Sequence, residues 1–359
     1  MLPYYLMFAA LLTLAALGKL PETRQFSGVW LISSAILLIS FAGLRRAGVG
    51  FDDVSYIKVF TTIPPITEWL SGEYVYSWDS AGMEPLYIAL GSTIRTFTEN
   101  YTWLFLIIAT ISVSATVYNY RQYSPIPGLS VLVYFCHTFL YRDMNQIRAG
   151  IAAALGLFLI RLISERRHYT IAITIVIASL IHMGALAYII PYAASYIKLS
   201  RRQIIAVTAI SIACGAIGFS GILVQVLPDL GPLTDKVKRY YESQHAEPLG
   251  VTDITNLKNL ALLLATLALT RSARQVTKHF DVQVLFLFLA TAWRFLFNDF
   301  GILAARISTF FGIVEPILVV SLALSVPNRV AGIAFVILYG AAMLTLNLMR
   351  GFNEYGLAI

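Results

Sequence analysis

Two arginines, an aspartate and two carboxamide side chains lie between two apolar stretches of the chain. They form the run RDMNQIR, from Arg142 to Arg148. An ionised side chain near a membrane core is costly unless it is paired, hydrated or facing a ligand. A guanidinium group presents several donors in a planar fork that matches phosphate oxygens. The run therefore predicts a site for an anionic, phosphate-like ligand.

The spacing within this run predicts how its side chains are presented. Arg142, Asn145 and Arg148 recur at every third position, so on a helix they would form a slanted stripe that one ligand could touch. Gln146 lies inside the same run and could help to orient that ligand. In the alternative interpretation, Asp143 neutralises one arginine and the pair anchors a helix end.

More arginines occupy comparable settings. Arg294, Asp299 and Arg306 border one short predicted loop, and Arg46 closes an apolar segment. Snorkelling of a long side chain to the membrane surface would explain Arg306 alone. It explains poorly why several polar residues border the same loop, so these arginines also favour an anionic ligand.

Candidate proton acceptors lie elsewhere in the chain. His182, in SLIHMGAL, can exchange a proton near neutral pH, which makes it a candidate base for a hydroxyl nucleophile. A histidine satisfied by a backbone carbonyl is the alternative. Asp52, Asp53 and Tyr56 lie near the start of a long polar loop, and Glu84 lies at its end. These carboxylates could bind sugar hydroxyls, hold the arginines, act as a base, or simply be solvated.

Several kinds of chemistry lose support. The sequence has no HExxH, Walker glycine loop, DxD or GxSxG pattern, so it predicts neither a metal nor a nucleotide cofactor. Its two cysteines, Cys136 and Cys214, form no CxxC motif. The net charge is +7, but the basic residues are scattered rather than gathered in a polar domain, so nucleic acid is not an expected partner.

The elements that position these residues are predicted to be membrane helices. The 359 residues are 58% hydrophobic and 13% charged, whereas soluble domains have about 25% charged residues. The apolar segments predict an all-α polytopic membrane protein with about twelve transmembrane helices. Several segments are shorter than the roughly 20 residues that a perpendicular span needs, so tilted or half-membrane helices are expected.

The distribution of charge predicts the orientation of these helices. If 170–197 is a hairpin, the short basic loops at 164–169, 198–203 and 271–279 fall on one side. The positive-inside rule makes that side cytoplasmic. Both termini and the run RDMNQIR are then outside.

The predicted external face also carries two long loops, 45–84 and 228–255. The apolar stretch 84–97 has external loop on both flanks, so a re-entrant or interfacial helix fits it better than a span. The loop 228–255 could cap an external cavity or lie on the membrane surface as an amphipathic helix. No repeat or low-complexity linker divides the chain, which predicts one membrane domain over 1–359.

At these residues the chain resembles the EpsG-like branch of the Wzy polysaccharide polymerases. The matching stretches are VGFDDVSY at 49–56, Glu84-Pro85, DMNQIRAGIA at 143–152, IHMGAL at 181–186 and AARISTFF at 304–311. Three positions depart from the family pattern. Phe51 stands where a small polar residue is common, Ala149 replaces a frequent glutamine, and Ile181 replaces an aromatic residue.

The resemblance implies a GT-C-like glycosyltransferase of the bacterial inner membrane. Family members join oligosaccharide repeat units, carried on undecaprenyl pyrophosphate, into O-antigen, capsule or exopolysaccharide at the periplasmic face. Breaking a sugar–pyrophosphate bond leaves a polyanion, and without a metal the developing charge must be met by pre-placed cations. The expected pyrophosphate contacts are Arg142, Asn145, Gln146, Arg148, Arg294 and Arg306. The expected proton acceptor is His182 or one of Asp52, Asp53 and Glu84.

Two other functions share much of this chemistry. A flippase or transporter would use the same arginines to lead a lipid-linked pyrophosphate across the membrane, but it predicts internal repeats and charge on both faces. An O-antigen ligase would move finished polymer to another acceptor. For the polymerase, the expected partners are lipid-linked oligosaccharides, membrane lipid and a chain-length regulator.

Overall fold

The computed structural model describes residues 1–226, 228, 238, 241, 247–351 and 354–358, and only the backbone of Asp79 and Ser80. These parts of the chain are helical and contain no β-strand; an isolated antiparallel bridge pairs Arg45 with Leu357. The all-helical class is therefore confirmed for the described residues. The predicted capping loop 228–255 lies largely outside them.

The α-helices are numbered in chain order. They are α1 (Leu2–Leu17), α2 (Ser27–Gly43), α3 (Asp53–Thr62), α4 (Ile66–Ser71), α5 (Trp78–Ala81), α6 (Pro85–Arg95), α7 (Tyr101–Tyr123), α8 (Pro127–Tyr134), α9 (Leu140–Arg142), α10 (Ile147–Ser164), α11 (His168–Ile181), α12 (Ile189–Ala194), α13 (Arg201–Ala216), α14 (Phe219–Val226), α15 (Ile254–Ala268), α16 (Thr270–Val276), α17 (Phe280–Leu296), α18 (Gly301–Phe311), α19 (Glu315–Ala323) and α20 (Arg329–Met349). Turns of 3₁₀-helix cover Arg24–Phe26, Met183–Tyr188 and Gly312–Val314, and a π-helix covers Phe135–Phe139.

Among the described residues, five helical stretches are long and apolar enough to cross a membrane. They are Arg24–Gly43, Tyr101–Tyr123, Ile147–Ser164, Gly301–Ala323 and Arg329–Met349. The pair α13 and α14, bent by 75°, would make a sixth. These helices make the chain a polytopic helical membrane protein.

The remaining apolar helices are shorter than a full span. Helix α1 has 16 residues, which at 1.5 Å per residue reach about 24 Å, less than the roughly 30 Å hydrocarbon core. Helices α11 and α15 and the stretch Met183–Ala194 are likewise only 10–17 residues long. The structure thus supports many membrane helices without supporting twelve full-length spans.

The chain forms two compact units. The first contains Met1–Leu186, Gln275–Lys278 and Pro316–Ile359, and the second contains Ala187–Arg274 and His279–Glu315. In the first unit α7 packs against α2 and α10, and α10 packs against α11. The single-domain assignment over 1–359 stays a prediction.

Helix α17 lies at the centre of the second unit. It packs against α13, α15 and α18. A glycine permits the close approach of α13, because a Cβ at Gly215 would lie 1.9 Å from the carbonyl oxygen of Phe295. Helix α17 also carries Arg294 in its last turn.

The run RDMNQIR lies at a break between helices, so the predicted stripe on one helix face is wrong. Helix α9 ends at Arg142, and α10 begins at Ile147. The backbone N–H groups of Asp143 and Met144 both donate to the carbonyl of Phe139, at 2.8 and 3.1 Å. This arrangement ends the helix, because it draws two successive donors onto one carbonyl.

The π-helix before this break is held by the last long helix. Its wider turn displaces backbone carbonyls from the α-helical pattern. In α20, the Asn347 side-chain amide donates to the Cys136 carbonyl at 2.7 Å, and its Oδ1 accepts from the Tyr141 hydroxyl at 3.2 Å. Asn347 therefore fixes the segment that leads into Arg142.

Two other features of the chain were predicted from the sequence, a helix within 84–97 and a break near His182, and the structure contains both. The stretch 84–97 forms α6, over Pro85–Arg95, as predicted from its composition. Helix α11 ends at Ile181, His182 is extended, and a 3₁₀ segment follows from Met183. The predicted membrane placement of both elements stays a prediction.

Candidate functional site

A fully buried ion pair lies at the start of the first long loop. The Nε and Nη2 atoms of Arg45 donate to the two carboxylate oxygens of Asp53 at 3.2 and 2.6 Å, and both side chains are 0% exposed. The backbone N–H of Gly50 donates to the same carboxylate at 2.8 Å. The Arg45 guanidinium also lies 4.1 Å from the ring centroid of Phe105. Asp53 therefore holds an arginine, one of the roles considered for it, and its carboxylate is fully buried.

This loop is attached to the break in RDMNQIR. The backbone N–H of Asp52 donates to the Asn145 side-chain carbonyl at 2.9 Å. Glycine is required at position 50, because a Cβ there would lie 2.0 Å from the carbonyl oxygen of Met144. Asn145 thus positions the start of α3, and the half-buried Asp52 carboxylate lies at the junction.

Arg46 lies on the outer side of the same loop. Its backbone N–H donates to the Gly356 carbonyl at 2.7 Å, and the Ala358 N–H donates to Leu44 at 2.9 Å. The Tyr355 ring stacks on Phe41 with centroids 4.1 Å apart. The exposed Arg46 side chain therefore borders a short backbone pairing between the first loop and the C-terminal segment.

Arg142 and Asp143 are both buried at the break. Arg142 donates to the Gln146 side chain at 3.0 Å. Asp143 accepts from the hydroxyl of Tyr134 at 2.5 Å and from that of Ser112. Ser112 lies near the middle of the 23-residue helix α7. The break is therefore recessed beside the centre of a membrane helix and does not lie at its end.

Arg148 is the centre of a second cluster. It pairs with Glu84, whose other oxygen accepts from the Met183 backbone N–H at 2.8 Å. The Arg148 guanidinium carbon lies 5.8 and 5.7 Å from the ring centroids of Tyr56 and Tyr87. Burial raises the pKa of the Tyr56 phenol, against an opposing effect of Arg148, so Tyr56 stays protonated. Within the described residues, neither the Nε of Arg148 nor the Tyr87 hydroxyl has a hydrogen-bond partner.

His182 lies beside this cluster, immediately before Met183. Its Nδ1 atom accepts from the Gly184 backbone N–H at 3.1 Å. In the neutral ring this bond places the proton on Nε2, because one nitrogen accepts while the other carries hydrogen. The geometry therefore presents His182 as a donor through Nε2, since its accepting nitrogen is already engaged.

A cavity of about 420 Å³ lies on the outer face of α3, and Met83, the residue before Glu84, lines it. Helix α3 lines it with Ser55, Lys58 and Thr62, and the following segments add Tyr74 and Met83. Hydroxyl, ammonium and aromatic groups are the kinds of side chain that contact sugars. The cavity has the polarity that a carbohydrate acceptor needs.

In the second unit, Arg294 is buried and ion-paired. Its Nη2 donates to Asp253 at 2.9 Å, and the Arg294 Nε has no hydrogen-bond partner in the described part of the chain. Asp253 also accepts from the backbone N–H groups of Thr255 and Asn256, at 3.0 and 3.2 Å, at the start of α15. Burial acts to raise the pKa of Asp253, but these bonds and Arg294 outweigh it, so the pKa is lowered.

The other predicted residues of this unit have separate settings. Asp299 accepts from the backbone N–H groups of Ser220 and Gly221, at 3.3 and 3.1 Å, and so caps α14 at the bend. Arg306 is exposed on α18. The short loop therefore does not gather these side chains around one point.

Sequence reasoning missed several residues of these clusters. Tyr87 and Asp253 were not singled out, although Tyr87 follows the EP motif closely in MEPLY. A buried ion pair between Lys258 and Glu315, 2.5 Å apart, was missed as well. Its only sequence signal is an acidic residue inside an otherwise apolar stretch. Among the described residues, no group of three or more His, Cys, Asp or Glu side chains could hold a metal ion.

Known proteins resemble this chain over most of its length. A model described as the EpsG family matches residues 28–355, which include every stretch that carried the resemblance. The amylovoran biosynthesis protein AmsC of Erwinia amylovora is 26% identical over 314 residues, covering 86% of this chain and 82% of that protein. No solved structure matches the chain significantly.

Proposed function

This chain belongs to the EpsG family, and from that premise we propose that it is a polysaccharide polymerase. It transfers oligosaccharide repeat units carried on undecaprenyl pyrophosphate and joins them into exopolysaccharide, capsule or O-antigen. The name of the amylovoran biosynthesis relative supports a product of this class. The proposal places the protein in the bacterial inner membrane, with a GT-C-like arrangement of about twelve spans and its site on the periplasmic face.

The observation that carries the proposal is the setting of Arg148. A guanidinium that pairs with Glu84 and lies beside two adjacent tyrosine rings is positioned before any ligand arrives. Its side chain is 19% exposed, and a guanidinium offers five N–H groups, so donor capacity for a further anion remains beyond the pair with Glu84. Pre-placed donors stabilise developing negative charge without reorganising during the reaction.

The transfer step follows from these positions. The acceptor hydroxyl oxygen bonds to the anomeric carbon of the donor, and the bond from that carbon to the pyrophosphate oxygen breaks. The electron pair leaves with the pyrophosphate, whose charge Arg148 and Arg142 stabilise. Asp52 takes the hydroxyl proton, because its side chain is partly exposed to a substrate, whereas Asp53 is fully buried.

Two neighbouring residues complete the proposed site in the first unit. Glu84 positions Arg148, and His182 donates its Nε2 hydrogen to an oxygen of the substrate. The cavity beside Met83 receives the acceptor sugar. Arg294 and Arg306, which belong to the second unit, stay predicted pyrophosphate contacts from the sequence. A chain-length regulator is a proposed partner.

The test is synthesis by the purified protein from one defined lipid-linked repeat unit. The proposal expects a ladder of polymers, and it expects the ladder to survive EDTA, because charge on the leaving group is met by arginines. Loss with EDTA and recovery with Mg²⁺ would contradict that account. Movement of the lipid across a vesicle without chain growth would instead indicate a flippase. Transfer of finished polymer without elongation would indicate a ligase.

A further inference from the structure

A second cavity lies at the other end of the first unit's helices. Helix α2 lines it from Ser27 to Ser34 and ends before Arg45, so about 16 Å along the helix separates the cavity from the Arg45–Asp53 pair. The end of α7 reaches the same cavity, whereas Phe105, which Arg45 contacts, lies near the start of that helix. The cavity is therefore distinct from the proposed active site.

The lining of this cavity is basic. Lys19, Arg24 and Arg121 line it together with Ser27 and Trp30. Its volume is about 200 Å³, and a single water needs only about 10–15 Å³ of such space. The cavity thus has room for a phosphate-sized group among three cationic side chains.

These cations have no acidic counterpart. Within the described residues, none of Lys19, Arg24 and Arg121 forms a salt bridge. All three residues are exposed to solvent in part, and the pKa of Lys19 is lowered by partial desolvation and by the nearby Arg24 and Arg329. Like charges held close together repel one another, and a bound anion would relieve that repulsion.

Apolar side chains lie next to the cations in this cavity. Leu14, Leu31 and Ile126 line it together with the three basic residues. A ligand that places an anionic group in the cavity would therefore have an apolar surface next to it for hydrocarbon chains. Basic pockets between transmembrane helices are a general way of binding anionic lipid head groups.

We propose that this cavity binds the phosphate of an anionic phospholipid head group. The positive-inside rule accounts for basic residues at this end of the helices. The rule does not explain why three basic residues line one cavity, or why the cavity wall has a glycine with empty space beside it. A Cβ at Gly28 would meet no atom within 4 Å, so the space beside it is available to a ligand.

The experiment measures binding of tail-labelled phosphatidylglycerol and phosphatidylcholine to the purified full chain in detergent. One variant removes the charges, Lys19→Gln/Arg24→Gln/Arg121→Gln. Another, Gly28→Leu, fills the cavity with charge unchanged, and leucine also favours the helix. The matched control, Arg201→Gln/Arg202→Gln/Arg271→Gln, removes the same charge from the second unit, at residues that are exposed as the three cavity cations are but do not line the cavity. Size-exclusion chromatography and tryptophan fluorescence check that each variant is folded.

The proposal expects wild type and control to prefer phosphatidylglycerol equally, and both cavity variants to lose about tenfold in affinity, as for a ligand that loses about 1.4 kcal/mol. Inorganic phosphate in excess should not displace the labelled lipid. Displacement of the lipid by millimolar phosphate would show that the cavity binds phosphate, but that its ligand is soluble phosphate and not a lipid head group. Equal binding by wild type and a folded Gly28→Leu protein would overturn the proposal, as would equal loss in the control. None of these outcomes depends on polymerase activity.

Discussion

Arg148 illustrates how a membrane protein can keep a cation available for function. Its charge is balanced by Glu84, and the rings of Tyr56 and Tyr87 lie beside its guanidinium group. A buried arginine with one partner carboxylate still has donors to spare, because guanidinium offers five N–H groups. This setting differs from that of Arg45, whose donors are taken by Asp53 and by the Ala42 carbonyl.

Lysine in place of Arg148 tests whether geometry or charge matters. Arg148→Lys keeps the charge but loses the planar fork, so we expect polymer synthesis to fall by about 10²-fold or more. The measurement is chain growth from a lipid-linked repeat unit at equal protein level. Arg161→Lys is the matched control, because Arg161 lies on the same helix and pairs with Glu165 on the surface. Normal polymer from Arg148→Lys would make Arg148 a structural residue.

The proton acceptor can be assigned by comparing two amide substitutions. Asp52→Asn removes the proposed base, and loss of a general base costs about 10²- to 10⁴-fold in rate. His182→Gln retains a side-chain N–H donor, so we expect it to keep considerably more turnover. Donor affinity should change little in Asp52→Asn. An inactive His182→Gln protein beside an active Asp52→Asn protein would transfer the base role to His182.

For single residues, the sequence identified the chemistry of the site side chains better than it identified the residues that they contact. Arg148, Glu84 and Tyr56 could all be singled out, because charged and phenolic groups beside apolar segments are conspicuous. Their contacts could not be read, since Arg148 and Glu84 are 64 positions apart, and Glu84 and Met183 are 99 apart. Only the folded chain shows that Asp53 is buried while Asp52 is not.

Among the helices, the break between α9 and α10 determines how the main polar run is used. A continuous helix would have placed Arg142, Asn145 and Arg148 in one stripe. The break lets Asn145 bind the first loop while Arg148 contacts Glu84. Asp and Asn side chains compete with helical hydrogen bonds, so the composition of the run already disfavoured a helix. For this run, the residue types predicted the helix break better than the spacing of three positions predicted a continuous helix.

The buried pair of Arg45 and Asp53 joins α2 to α3, and its removal should unfold this junction. We expect Asp53→Asn to lower the free energy of unfolding by about 3–5 kcal/mol, because it leaves a buried arginine without its counter-charge. Thermal unfolding of the purified protein measures this. The double variant Arg45→Met/Asp53→Leu should recover most of the loss.

Asp281→Asn is the control for this pair. Asp281 and Arg274 lie 2.5 Å apart, but their side chains are 72% and 58% exposed, and exposed pairs contribute little to stability. A stable Asp53→Asn protein that no longer makes polymer would show instead that Asp53 acts on the substrate.

For the whole molecule, composition predicted a polytopic helical protein correctly, whereas the number of spans could not be obtained from apolar segments. Hydrophobicity marks a segment as buried in lipid or protein but does not say how far it extends. Breaks such as the 75° bend between α13 and α14 depend on tertiary contacts, in this case the capping of α14 by Asp299.

The orientation of the molecule is directly testable. We expect a cysteine introduced at Ser272 to resist a membrane-impermeant thiol reagent in intact spheroplasts and to react after permeabilisation, because basic short loops face the cytoplasm. Ser55→Cys, in the first long loop, is the matched control and should react in intact spheroplasts. Cys214, which is only partly buried, is replaced beforehand, and Cys136 is buried. The opposite labelling pattern would invert the topology.

The pairing of the first loop with the C-terminal segment has a consequence for the timing of biosynthesis. Tyr355 donates to the carbonyl of Phe41, which lies 314 positions earlier. A ribosome adding about 5–20 residues per second needs roughly 15 to 60 seconds for that distance. During that interval the Phe41 carbonyl and the Arg46 backbone N–H lack their native hydrogen-bond partners, while Arg45 and Asp53, eight positions apart, can already pair. The nascent chain must therefore keep this loop uncovered in the membrane until nearly the whole protein has been translated.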